Sequence, residues 1–379
     1  MKRYIFLFFI CCLMPFTLSA QKVVMGSCST KDGGVYQGDM MNGKPHGKGK
    51  TTYPDGSTYD GEYVKGDCQG YGVKEFADGS RYEGSWFKNQ QHGQGTFFFP
   101  NNNKYVGLWY RNRQHGQGTM HYYNGDKYVG NWYMDKRQGK GKYTFAKGKY
   151  TFAKGGAYYD GAWHQDMKHG SGVFNWGDGT IYEGDWKENK RSGRGTHHYS
   201  GGDTYTGEWS DDVRHGRGTY VTSDGDKYEG AYVDDKRQGE GILRYANGDT
   251  YTGHFADGMP DGNGVQRWSN GDVYQGQWKK GKCDGKGKLT KRNKDVYEGE
   301  FHNGLLNGEF VVHYADGSKF RGTYKDSRRN GKAIEVDAIG KRIECTYEND
   351  VRHGPFVEKD SNGTVVAEGN YNHGKRNLK

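Results

Sequence analysis

Tyr205 to Lys227 reads YTGEWSDDVRHGRGTYVTSDGDK. The 23 residues before it, from Tyr182, read YEGDWKENKRSGRGTHHYSGGDT, and the 23 after it, from Tyr228, read YEGAYVDDKRQGEGILRYANGDT. A fixed period of this length marks a repeat architecture in which each unit is one supersecondary element. Within the unit, Tyr205, Gly207 and Trp209 alternate with Thr206 and Glu208. Period two means a β-strand with Tyr, Gly and Trp on one face. A polar loop follows, then Gly216 and Gly218 open a second strand. Gly207, Gly216 and Gly218 leave room for a ring to lie flat on the backbone, or for a bulge. Rings of each unit are expected to cover the glycines of the next.

Working outward, full units begin at Tyr36, Tyr59, Tyr82, Tyr105 and Tyr128, and resume at Tyr159, Tyr182, Tyr205, Tyr228, Tyr251, Tyr274 and Tyr297. The second strand carries one recurrent aromatic position: Tyr53, Phe76, Phe99, Tyr122, Phe145, Trp176, Tyr199, Tyr245, Trp268 and Tyr314, with Thr222 and Lys291 as exceptions. Pairs such as Asp55-Gly56, Asp224-Gly225 and Asn247-Gly248 join one unit to the next and suit the positive φ of tight hairpin turns. The fold class is therefore all-β, an elongated, twisted or curved single-sheet solenoid of antiparallel hairpins. One unit alone cannot offset an ordering entropy of about 1.5 kcal/mol per residue, so stability is collective. With two weaker units from Phe320 and Ile343, fourteen hairpins imply about 28 strands and, at ~4.8 Å per strand, about 130 Å of array.

The chain divides into residues 1–20, a half-unit cap at 21–35, the array at 36–319, and a degenerate C-terminal cap at 320–379. Lys2 and Arg3 precede a mostly apolar run ending at Leu18-Ser19-Ala20, which reads as a secretory signal peptide cut before Gln21. A segment so short does not span a bilayer comfortably. GKYTFAK occurs twice, at 141–147 and 148–154, so an insertion over about 141–158 predicts a lengthened hairpin or bulge. In the C-terminal units Phe310, Ala333 and Phe356 replace the second glycine, and Cys345 replaces the first.

Only 32% of the 379 residues are hydrophobic, yet 15% are aromatic, with 64 Gly, 31 Tyr and only 6 Pro. Aromatics on a strict period order a chain, so this is neither disorder nor an ordinary globular core. Loss of Lys2 and Arg3 with the leader lowers the formal charge from +9 to +7. The remaining charges are interspersed, unlike the dense basic block of a nucleic-acid binder.

The unit resembles the MORN (membrane occupation and recognition nexus) repeat, whose consensus runs roughly YEGEWKNGKRHGKGTYTYADG. Tyr297-Glu-Gly299-Glu-Phe301-His-Asn-Gly304 and Lys190-Arg191-Ser-Gly193-Arg-Gly195-Thr196 carry the likeness, and EGNYNHGKRN near the end resembles a form common in secreted bacterial copies. The resemblance implies a twisted sheet of hairpins serving as scaffold, dimerisation module or contact with anionic lipid. In some members such repeats accompany a catalytic domain, but here the repeats occupy the segments after the leader.

No HExxH, CxxC or GxSxG pattern occurs, and Lys44 stands where a P-loop ending in Gly49-Lys50-Thr51 needs glycine. The expectation is no catalysis, no cofactor and no metal. His46, His92, His115, His169, His215 and His353 share a position with Gln69, Gln138, Gln238 and Ser192, which favours a turn role over metal binding. Lys136, Arg137, Lys190, Arg191, Arg214, Lys236 and Arg237 align along one loop edge. That edge reads either as a rim for anionic lipid or envelope glycan, or as charge that keeps a β-array soluble. Asp211, Asp212, Asp234 and Asp235 in the same loops weigh toward the second. Tyr182, Gly184, Trp186, Tyr205, Gly207, Trp209, Gly216 and Gly218 form the structural core of the unit. The expected role is an exported, non-catalytic scaffold in the periplasm, at the outer membrane or outside the cell. It would bind protein partners or a second copy through its sheet face, and no nucleic acid.

Cys68 and Cys283 occupy the same loop position nine units apart, which is on the order of 80 Å in a linear array, against a disulfide limit of about 7 Å between Cα atoms. Cys28 and Cys345 sit near opposite ends. Mass spectrometry of the non-reduced protein should therefore show no Cys68–Cys283 link within one chain; finding one would overturn the linear array.

Overall fold

The computed structural model describes residues 22–146 and 156–379. The signal peptide expected at 1–20 and the centre of the insertion expected at 141–158 lie outside them. The chain forms two compact units, Met1–Ala146 and Lys147–Lys379. The described residues are all-β, with no helix and thirty-two strand segments. Half-units at both ends and a break at His353 account for the excess over 28.

In the first unit, eleven strands run from Val24–Ser29 to Lys136–Thr144, each paired antiparallel with its neighbours in sequence. In the second, the same meander runs from Tyr158–His164 to Lys375–Leu378. The repeat at Tyr205 is built from Thr204–Ser210 and Val213–Val221. Gly207 faces Gly218, and Trp209 faces Arg214. Between those pairs the second strand has two extra residues, a bulge that Gly216 makes possible at φ +62°. Glu208 closes the bulge by accepting the Arg217 amide at 3.2 Å.

Tyr205 explains the other two glycines. Its ring is fully buried against Gly207 and Gly218. A Cβ on Gly207 would fall 2.5 Å from Tyr205 Oη and 2.6 Å from Gly218 Cα. The phenol donates to the Glu208 carbonyl at 3.0 Å, so the buried hydroxyl is satisfied. The rings thus cover the glycines of their own repeat, not those of the next as the sequence suggested. It is Trp209 that reaches the preceding repeat. Its indole donates to Gly195 O at 3.3 Å. It also meets both Tyr205 and Tyr182 edge-to-face, with centroids 5.1 and 5.5 Å apart. Such pairs contribute about 0.5–1.5 kcal/mol beyond their burial. The chain of rings runs from Tyr36 to Trp132 in the first unit, and from Tyr159 to Tyr347 in the second.

The turns also correct the sequence reading. In the Asp-Gly turns only glycine takes positive φ, as at Gly225 (+97°). Thr222 O accepts from Gly225 N, and Thr222 N donates to Asp226 O, so the loop has three residues. The two-residue hairpin lies instead in the polar loop, where Asp211 and Asp212 both take positive φ, +48° and +73°. Asp212 then latches onto the repeat before it: its amide donates to Arg191 O at 3.0 Å, and its carboxylate accepts from Arg191 N at 2.8 Å. Asn89, Asn112, Asp135, Asn189, Asp235 and Asp350 do the same.

The C-terminal repeats keep the packing while changing its parts. Phe310 stands where the second glycine should be, and its ring covers Gly299 in place of Tyr297. Phe320 has no hydroxyl, and the position opposite Gly322 holds Ala333 rather than a second glycine.

That pairing supplies a test. Gly218→Ala should cost about 1–3 kcal/mol through overpacking, and Tyr205→Phe about 1 kcal/mol through a lost hydrogen bond. In urea denaturation the double variant should cost less than the sum of the two: the added Cβ falls 2.4 Å from both Oη and Cε2, and a ring without its hydrogen bond to Glu208 O can shift off the methyl. Additive losses would refute the steric account.

Candidate interaction surfaces

Register decides what the loop edge can do. With Asp211-Asp212 as a two-residue turn, Arg214 falls opposite Trp209 and shares its face. The arginine column therefore lies over rings. Arg191 Cζ is 4.2 Å from the Trp209 ring centroid, Arg214 is 5.2 Å from Tyr232, and Arg237 is 5.2 Å from Tyr228. In the first unit Arg137 lies 5.4 Å from Tyr143. Lys136, Lys190 and Lys236 precede these arginines and remain exposed.

Acids of the following repeat meet several of these cations. Arg191 Nε donates to Asp212 at 3.1 Å, and Arg214 Nε to Asp235 at 2.8 Å. Lys190 pairs with Asp211 at 3.3 Å, and Lys236 with Asp257 at 2.9 Å. The two lysine pairs are exposed and contribute little stability, but all four cancel much of the field the edge would project. Arg237 differs: the next turn has Gly258 in place of an acid, and among the described residues Arg237 has no ion pair.

A second surface was missed from the sequence. In the first unit Phe87, His92, Tyr110, His115 and Tyr133 stack in one column, with successive centroids 5.4–5.7 Å apart. Phe87, Tyr110 and Tyr133 are 46%, 38% and 57% exposed. Lys88 and Arg111 flank the column, 5.4 Å from the Phe87 ring and 5.2 Å from the Tyr110 ring. The same position holds Lys187 and Ser210 in later repeats, so packing does not demand a ring there. The sequence signal was the aromatic directly after Trp in three consecutive units.

In the last repeats an ionic ladder replaces inner-face rings. Glu335 and Glu358 stand at the position of Tyr220 and His197. Glu335 pairs with Arg352 and accepts from the Tyr347 phenol. Glu358 is buried and pairs with Lys341 and Arg376. These cations hold both carboxyls below the ordinary glutamate range, against the opposing effect of burial. Beside them an open cleft of about 870 Å³ lies between Tyr314, Phe320, Arg329 and Asp337.

Among the described residues no group of His, Cys, Asp and Glu is placed to hold a metal ion, and no helix is long and apolar enough to cross a membrane. Cys28, Cys68, Cys283 and Cys345 are all free, and burial pushes the Cys68 thiol up to about 11.

Tandem hairpins stacked on a tyrosine–glycine core, with a two-residue turn latched to the repeat before it, define a class of β-repeat protein. The MORN repeat family model matches residues 36–58, 59–81, 82–104, 105–127 and 128–150, then 159–181, 182–204, 205–227, 228–250, 251–273, 274–296 and 297–319. The chain belongs to that family. No curated protein matches it. Among solved structures, the TCP domain of SAS-4 from Drosophila melanogaster, in complex with a proline-rich motif of Ana2, aligns at 16% identity and a TM-score of 0.28, over 41% of this chain and 85% of that one. The TCP10 domain of Danio rerio CPAP, in complex with a STIL peptide, aligns at 10% identity and a TM-score of 0.17, over 92% and 100%. A catalytically inactive virginiamycin B lyase from Staphylococcus aureus aligns at 11% identity and a TM-score of 0.14, over 85% and 97%. Likeness this weak says nothing of activity or partners.

His197 yields a pH test. Burial, then the Arg191 guanidinium 3.2 Å from Nδ1, push its pKa down to about 4. The neutral ring is favoured only in the folded chain, so the unfolded chain takes up the proton first. Stability should be full above about pH 6.5 and fall as pH drops toward about 4. His197→Phe, the residue Phe174 supplies one repeat earlier, should flatten that part of the thermal melting profile; an unchanged slope would refute the assignment.

Proposed function

We propose that this protein is a non-catalytic scaffold of the secreted bacterial type, exported to the cell envelope, where it binds protein partners. The observation that carries the partner-binding part is the exposed ring column of Phe87, Tyr110 and Tyr133 in the first unit. Large exposed aromatics in one contiguous patch, flanked by cations, have the composition of a protein interface. The recurring polar groups of the ring face serve the array itself: phenols satisfy carbonyls, indoles bridge repeats, and the turn acids cap amides. Export rests on the leader at 1–20, with cleavage before Gln21.

A second reading, contact with anionic lipid or envelope glycan through the basic edge, draws on Arg237, which has no ion pair among the described residues. The ion pairs at Lys190, Arg191, Arg214 and Lys236 weigh against it.

The test compares two variants in cross-linking from envelope extract and in sedimentation with anionic vesicles. Replacing Phe87, Tyr110 and Tyr133 with serine should abolish the specific cross-linked product without lowering the melting temperature. Reversing Lys190, Arg191, Lys236 and Arg237 to glutamate should leave that product intact. The opposite pattern, with salt-sensitive vesicle binding lost on charge reversal, would favour the lipid reading and sink the first.

A further inference from the structure

The cleft beside Arg329 occupies a place where the array usually puts a ring. Tyr314 is the last member of the recurrent aromatic series on the second strand, and one repeat later that position is Asp337. In several repeats the recurrent ring packs on an inner-face ring of its own or the next repeat, as Phe174–Trp176 and Trp176–His197 do at 4.4 and 5.5 Å. Here the inner-face residue is Glu335, the ring is missing, and an open space of about 870 Å³ is lined by Phe320, Val336 and Ile343. That volume suits a small ligand.

Arg329 supplies the charge. Its guanidinium donates to Tyr314 Oη at 3.1 Å and to Tyr347 Oη at 3.2 Å, and lies 4.9 Å from the Phe320 ring centroid. In the repeats at Tyr182 and Tyr205 the equivalent arginine gives its Nε to an acid of the following turn. At Arg329 that acid, Asp350, takes only the backbone amide, at 2.8 Å. Among the described residues neither Arg329 nor Lys319, also on the cleft, has an ion pair. The carboxylates around the cleft are engaged elsewhere. Asp295 accepts from Ala315 N, Asp316 from Ser318 N, Asp337 from Ile339 N and Lys341 N, and Glu335 pairs with Arg352.

From this we infer that the cleft binds an aromatic monocarboxylate: the ring takes the place left at Asp337, and the carboxylate meets the Arg329 guanidinium. A planar guanidinium fork matches a carboxylate. The four acids nearby disfavour a more highly charged anion. The ligand is either a free aromatic acid or the C-terminal carboxylate of a chain ending in Phe or Tyr. The inference stands apart from the scaffold reading and from the ring column in the other unit.

Calorimetric titration of the full chain tests it. 3-Phenylpropionate should saturate one site, while acetate and benzyl alcohol, each with half of the chemistry, should bind about tenfold or more weakly. Arg329→Gln should weaken 3-phenylpropionate about tenfold. Asp337→Tyr, which restores the ring common to other repeats but gives up the acceptor of the Ile339 and Lys341 amides, should abolish binding while the β-sheet circular dichroism signal is kept. A peptide ending in a free Phe carboxylate, compared with its C-terminal amide, separates the two sources. Tighter binding of the free-carboxylate peptide than of 3-phenylpropionate points to chain ends, and binding of 3-phenylpropionate alone points to a free acid; both uphold the site. A titration that does not saturate, or unchanged binding in either variant, overturns it.

Discussion

A tyrosine ring lying on two facing glycines, with its hydroxyl on the bulge carbonyl, sets what the rest of the repeat can be. The ring needs Gly207 and Gly218 bare, because any Cβ there would meet its phenol. Bare glycines bury no side chain of their own, so one hairpin has nothing to fold around. The deficit is made up by the next repeat, whose Trp places its edge on the tyrosine and its indole N–H on the second glycine's carbonyl. Local weakness and lateral dependence are thus one property, and it makes the stability of such an array collective.

The same slot accepts other solutions when its volume is respected. Phe310 fills it from the second strand instead of the first, and Phe320 tolerates Ala333 because it lacks the hydroxyl. What looked like decay toward the C-terminus is in these two repeats a change of parts around a constant space. Polar substitution comes later, where Glu335 and Glu358 exchange stacked rings for ion pairs with Arg352 and Arg376. Ion pairs fix geometry without filling volume as a ring does, and an open cleft accompanies the exchange.

The period and the Tyr-x-Gly-x-Trp alternation made the hairpins legible, since side-chain direction in a strand follows from parity alone. The turns were not legible. Asp224-Gly225 looks like a tight hairpin pair, yet its loop has three residues and only the glycine is left-handed. Asp211-Asp212 has no glycine and was read as a plain polar loop. That error hid the arginines. Only a two-residue turn sets Arg214 opposite Trp209, and only that register turns its side chain onto the rings. The exposed column at Phe87, Tyr110 and Tyr133 escaped for another reason: one aromatic per repeat is invisible in composition, and its meaning comes from lateral neighbours.

The latch between turns gives the array a temporal order. Arg191 finds the acceptor for its amide and the ion pair for its guanidinium in Asp212, twenty-one residues later. Tyr182 likewise waits for Trp209. Each repeat is completed by the one synthesised after it. A chain emerging from the ribosome can therefore finish its repeats one at a time behind a single growing end, with only the newest hairpin unsealed. Construction proceeds like a course of bricks, and a stall leaves a finished wall with one raw edge.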